Sequence, residues 1–233
     1  MKTRKRTISD QQMARETQRF FVMVCAWMSF ALIVTGLTAY VIASSPGMIV
    51  NFSENRILMA GLLIFEVAIV MILVGGIKKM SEEMASLLFI AYSILNGFTL
   101  SVIFLVFTEE SLATAFFVTA GTFAIMSSFG YLTKFDLTAF GNLLFMGLLG
   151  LVLATLINLH YQNNEVTWIT TYFGVVLFIG LIAYDTQEIK KLVVFGNEES
   201  EEKKKSAIIG ALTLYLDFIN LFLKFPNIFG KRK

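Results

Sequence analysis

The chain has one cysteine, one histidine and two prolines in 233 residues. Cys25 has no second thiol with which to close an intramolecular disulfide, and Cys25 with His160 alone cannot build a Cys/His zinc or haem centre. Charge is also scarce. Asp, Glu, Lys and Arg make up 15% of the residues, where a soluble domain needs roughly 25% to cover its surface. The formal net charge of +2 reports topology more than partners, and nucleic acid is not an expected partner.

What is abundant is apolar: 56% hydrophobic residues, 23 phenylalanines and a mean hydropathy of +0.72. The apolar runs are continuous and lack the alternation over roughly 10 residues that marks a barrel strand. Each is long enough for a helix crossing about 30 Å of hydrocarbon. They fall at Phe20–Ala43, Arg56–Ile77, Met84–Phe107, Leu112–Leu132, Thr138–His160, Trp168–Phe195 and Ala207–Phe225. The expectation is an all-α integral membrane protein, a seven-transmembrane-helix bundle, with short connections that make sequence neighbours antiparallel. Residues 1–19 form a basic tail, 20–225 a single transmembrane domain and 226–233 a short basic tail. The basic start resembles a signal peptide, but the run after it exceeds the ~7–15 residues of an h-region, and Pro46 follows the supposed cut. An uncleaved signal anchor is expected.

Orientation follows from the cations, which are retained on the cytoplasmic side. With the N-terminus inside, that side holds the basic tail, Lys78, Lys79, Lys134, Lys190, Lys191 and Lys203–Lys205, against Arg56 alone outside. Lys224, Lys231, Arg232 and Lys233 then sit on the wrong side for seven crossings, or the last segment is a re-entrant hairpin. Seven crossings are favoured, because no glycine or proline interrupts the middle of Ala207–Phe225. The run GNEESEEKKKS (196–206) reads as a solvated charge run, and the span glycines Gly97, Gly121, Gly147 and Gly150 as close-packing points between helices.

An acid near the bilayer centre costs roughly 2.5–3.5 kcal/mol and is a functional candidate by default. Glu66, Asp185 and Asp217 qualify. Asp217 shares a helical face with Thr213, Asn220 and Lys224, a polar stripe that must point into protein or a wet cavity. If the sixth helix runs on to Phe195, Asp185 and Asp217 each lie ten residues from the same membrane face, about 15 Å deep. Two carboxyls close together in a low-dielectric site do not both ionise readily, so the pair shares a proton or holds a cation such as Ca²⁺. Calcium needs about 6–8 oxygens, with help from Asn220, carbonyls, Glu66 or water. Inert hydrogen bonding to Tyr or Thr hydroxyls is the competing account of the pair. Glu66 reads equally as the wall of an ion path or as a protonated acid bonded to a neighbouring helix. Tyr92, Asn96 and Thr99 line one face of the third helix and suit interhelical hydrogen bonding.

The motifs AYDTQEIK (183–190), ALTLYLDFINLF (211–222) and FEVAIV (65–70) resemble the transmembrane BAX inhibitor motif family, in its bacterial form. The resemblance implies a seven-helix fold with the C-terminal helix central. It also implies a pH-sensitive calcium leak channel whose sensor is the aspartate pair, here Asp185 and Asp217, in a bacterial inner membrane. Some bacterial relatives are instead similar in modulating a membrane-embedded ATP-dependent protease. In certain relatives an arginine at the inner end of helix two latches the aspartates. Ile77 stands at that position, followed by Lys78 and Lys79, and lysine lacks the bidentate fork. No enzymatic activity and no cofactor are expected, apart from Ca²⁺ as a permeant or bound ion. An intramembrane aspartyl protease also carries two aspartates on adjacent helices. Leu-Tyr-Leu precedes Asp217 in place of Gly-x-Gly, which argues against one.

Overall fold

The computed structural model describes residues 10–45, 47, 50, 55–192 and 200–233. Lys2, Arg4, Lys5, Arg6, Pro46 and the expected continuation of the sixth helix over 193–195 lie outside them, as does the start of the charged run, 196–199. Among the described residues seven helices are long and apolar enough to cross a membrane, and no strand forms. They are α1 (Asp10–Ala43), α2 (Arg56–Gly76), α3 (Glu82–Ser101, with a further turn at Ile103–Val106), α4 (Glu109–Leu132), α5 (Thr138–Tyr161), α6 (Asn164–Lys191) and α7 (Glu201–Phe229).

Local chemistry sets where they begin. The side chains of Asn55, Ser81, Thr108 and Asn163 each accept a backbone N–H from the first turn of α2, α3, α4 and α6. Acidic residues follow in the first turns of α3, α4 and α6, where the positive end of the helix dipole favours them. At the α4–α5 turn, Asp136 Oδ1 accepts the Thr138 N–H at 3.0 Å. The Thr138 hydroxyl and N–H hold the Asp136 carboxyl below its ordinary range.

α1 packs on α3 and α7, α2 mainly on α3, α5 mainly on α6, and α4 on α6 and α7. α7 touches α1, α3, α4 and α6 and is the most buried of the seven, while α5 buries only Leu151 among its described residues. Large apolar side chains such as Ile57, Phe117, Ile125, Leu159 and Val176 cover the outside, as a chain immersed in acyl chains requires.

α7 is one unbroken helix of 29 residues, in line with seven spans and not with a hairpin at the end. Three expectations are corrected. α1 and α7 begin well before their apolar runs, at Asp10 and Glu201 instead of Phe20 and Ala207. The charged run is not simply solvated: Lys203 is 1% exposed and pairs with Glu16 of α1 at 2.6 Å. Lys204 pairs with Glu82 at 2.9 Å, and Lys205 Nζ donates to the Met80 carbonyl. The span glycines also divide. A Cβ on Gly97 would lie 2.6 Å from Thr38 Cβ, and one on Gly147 3.0 Å from Leu177, whereas Gly121 and Gly150 meet nothing within 4 Å.

At the opposite end, the last residues fold back on the α3–α4 connection. Lys231 N–H donates to Ser111 Oγ, Lys233 N–H to the Val106 carbonyl, and Thr108 N–H to the Lys231 carbonyl.

Candidate functional site

The polar stripe of α7 faces α6. Asp217 is 5% exposed and Asp185 half-buried, and their carboxyls lie within hydrogen-bonding reach of each other. Asp217 Oδ2 is buried and has no hydrogen-bond partner. Glu188, one turn along α6, adds its charge to Asp185. Beside them Thr186 Oγ1 donates to Ser127 Oγ of α4 at 3.1 Å. A Cβ on Gly130 would overlap the Ala183 carbonyl, which lets α4 run close against α6 at this level.

The pair meets, but not for the expected reason. α6 ends at Lys191, six residues past Asp185, or about 9 Å. Asp217 lies sixteen residues into α7, about 24 Å. The levels match because α7 overhangs the end of α6 by several turns, held there by its ion pairs to α1 and α3.

Other expected residues are placed differently. Asn220 Nδ2 donates to the Leu216 carbonyl of its own helix. Lys224 lies across α6 at Gly174, where a Cβ would come within 2.7 Å of its Cε. Lys78 and Lys79 are exposed in the turn after α2, and among the described residues no lysine bears on either aspartate. Glu66 is separate from the pair: it accepts the Thr99 hydroxyl and lies 3.3 Å from the Asn96 amide, both of α3. Among the described residues no three or more His, Cys, Asp or Glu are grouped to hold a metal.

A cleft of about 450 Å³ opens at the end of the bundle that carries the Lys203–Glu16 pair. Ile77, Lys78, Leu192, Glu202, Lys205, Ser206 and Ile209 line it. Leu192 and Ile209 lie seven and eight residues from Asp185 and Asp217, on the same faces of their helices two turns away. The cleft therefore lies in line with the pair, with Ile77 and Lys78 on its rim.

The family model described as "Inhibitor of apoptosis-promoting Bax1" matches residues 17–233. The chain belongs to this family. It is 44% identical over 217 residues to the inner membrane protein YbhL of Escherichia coli (strain K12), covering 93% of each chain. It is 36% identical over 215 residues to an uncharacterized protein of Borreliella burgdorferi, covering 92% of this chain and 93% of that one. It is 35% identical over 235 residues to the uncharacterized protein RP147 of Rickettsia prowazekii (strain Madrid E), covering 100% of this chain and 98% of that one. The family member is thus a multi-pass membrane protein.

Sequence reasoning missed three groups near these sites. Tyr215 and Thr35 are buried and hydrogen-bonded to each other at 2.7 Å. The signal was there: each is a hydroxyl in the middle of an apolar span. Lys203 had no such signal, since its partner Glu16 is 187 positions away.

Proposed function

We propose that the protein is a pH-sensitive cation leak, with calcium as the permeant ion, gated by protonation of Asp185 and Asp217. The observation that carries this is a pair of facing carboxyls, one oxygen of which is buried without a partner. Like charges at that range in a low-dielectric site repel, so one shared proton holds α6 and α7 together. Loss of that proton drives the carboxyls apart and opens the seam between the helices. The cleft bounded by Leu192 and Ile209 supports this reading, because it opens on the same helical faces and carries Lys78, Glu202 and Lys205 in its lining.

Two carboxyls supply at most four of the roughly 6–8 oxygens that calcium takes. The donor set fits a passing, partly hydrated cation better than a closed cage. Ile77 and Lys78 line the cleft, and among the described residues no arginine bears on the pair, so the proton takes the place of a latch. In this reading the chain has no enzymatic role and needs no cofactor. The cation bias puts its N-terminus in the cytoplasm, and the likeness to YbhL supports a bacterial inner membrane.

The test is calcium flux into liposomes across a pH series. Wild type is expected to leak more as pH rises through the titration of the pair, and Asp217→Asn to leak at one rate throughout. Flux equal to empty liposomes at every pH removes the proposal.

A second reading draws on the overhang. The joined ends of α1 and α7 form a rigid charged post, braced by Lys203–Glu16 and Lys204–Glu82. Such a post suits a non-conducting regulator that docks on another membrane protein, for instance a membrane-embedded ATP-dependent protease. Stable co-purification of such a partner, unchanged in Asp185→Asn, would favour it over the leak.

A further inference from the structure

Glu66 sits at the middle of α2, 7% exposed, apart from the aspartate pair. Its carboxyl ends a line of side chains that crosses four helices. Oε1 accepts the Thr99 hydroxyl of α3, and Oε2 lies 3.3 Å from Asn96 Nδ2, also of α3. Asn96 Oδ1, the other end of that carboxamide, is 3.0 Å from the Tyr215 hydroxyl of α7. Tyr215 is 2.7 Å from the Thr35 hydroxyl of α1, and Thr35 is 2.9 Å from the Ser93 carbonyl of α3. Asn96, Tyr215 and Thr35 are all buried.

Each of the four links from Glu66 to Ser93 needs one hydrogen. Asn96 can place an N–H at only one end, because the other end is an oxygen, and Tyr215 and Thr35 have a single O–H each. With Glu66 ionised, Asn96 donates to the carboxylate and Tyr215 to Asn96. The single hydrogen of Thr35 then has two contacts to serve, Tyr215 at 2.7 Å and the Ser93 carbonyl at 2.9 Å, and one of them goes without. A proton on Oε2, with the Asn96 carboxamide turned end for end, reverses the whole line. Glu66 donates to the Asn96 oxygen, Asn96 to Tyr215, Tyr215 to Thr35, and Thr35 to the Ser93 carbonyl. Every link is made, and Oε1 still accepts Thr99. The two ends of an asparagine carboxamide are assigned by their partners in just this way.

We infer that Glu66 is a proton-binding site, whose protonated form gives every one of these contacts a hydrogen and whose occupancy is relayed to α1 and α7 by the direction of the hydrogen-bond line through Asn96, Tyr215 and Thr35. The groups facing the carboxyl are Thr99, Asn96 and Tyr92 of α3, with Tyr215 of α7 behind them. None is a cation that could offset a negative charge. Release of the proton turns the Tyr215 hydroxyl from Thr35 to Asn96 and leaves Thr35 one hydrogen for two contacts, so α1 loses a bond to α7 or to α3. Tyr215 is two residues from Asp217, so the relay passes close to the aspartate-bearing turn. The site stands on its own geometry and does not depend on the leak proposal.

The test is infrared difference spectroscopy of the full chain in lipid nanodiscs, wild type against Glu66→Gln. A protonated-carboxyl carbonyl band is expected at neutral pH, absent from Glu66→Gln and shifted in Tyr215→Phe, where the line is cut. A carboxylate band at neutral pH, or a carbonyl band that Tyr215→Phe does not move, overturns the inference. Thermal unfolding gives a second reading. Glu66→Gln keeps a donor where the proton sits and is expected to melt with wild type, while Glu66→Ala melts roughly 4 °C lower or more. A Glu66→Gln protein as unstable as Glu66→Ala counts against the proton. Asp185 and Asp217 are untouched in all three variants, so failure here leaves the pair to be judged by its own flux assay.

Discussion

Lys203 of α7 and Glu16 of α1 meet at 2.6 Å, with the lysine 1% exposed, so the start of the last helix is bolted to the start of the first. A buried ammonium without a carboxylate is costly, and a charge-assisted hydrogen bond of this kind contributes about 1.5–3 kcal/mol.

Glu16→Ala, which strands that ammonium, is therefore expected to destabilise the protein by about 2 kcal/mol. Lys203→Met removes the charge while keeping the apolar stem, and is expected to lose less. Thermal unfolding in detergent checks both. Equal melting of wild type and Glu16→Ala would show the pair to be idle.

Close packing gives a second pair of variants. Gly97→Ala puts a methyl 2.6 Å from Thr38 Cβ and 2.8 Å from the Thr35 carbonyl, and is expected to cost about 1–3 kcal/mol as α1 and α3 are pushed apart. Gly121→Ala meets nothing within 4 Å and is expected to stay within roughly 0.5 kcal/mol of wild type. The same unfolding assay distinguishes them, and the reverse order would contradict the packing described.

How far the sequence foretold these features depended on what reports each one. Helix number was legible because each span is an uninterrupted apolar run, and the Asp185–Asp217 pair because acids at depth are conspicuous. The ends of α1 and α7 were not legible: hydropathy marks the stretch that lipid covers, and both helices continue as polar turns beyond it. The depth of Asp217 was only partly legible for the same reason: it lies ten residues past Ala207 but sixteen past Glu201, where α7 begins. The split between Gly97 and Gly121 needed the helix faces, which composition does not give.

If one proton is shared between Asp185 and Asp217, the two carboxyls act as a unit. Asp185→Asn and Asp217→Asn should each abolish the pH dependence of flux, and the double variant should add nothing further. Additive effects on flux would mean that the two acids work separately.

The folded-back tail is expected to matter for the far end of the bundle. Deleting Lys231–Lys233 removes the bonds to Ser111, Val106 and Thr108. Hydrogen exchange at 103–111 should accelerate, with exchange near Lys203 unchanged. Uniform protection in both proteins would show the tail to be an ornament.

These anchors confine how α7 can move. Ion pairs grip its first turn and the chain end grips its last, so it cannot slide along its own axis like a piston. α6 is fastened to other neighbours: Gln187 to the 133–137 turn and Lys190 to the Tyr131 carbonyl at the end of α4. α6 also packs along α7, so with α7 held at both ends the seam between them changes only if α6 moves sideways against it. Asp185 and Asp217 face each other across that seam, so any such movement changes their separation directly.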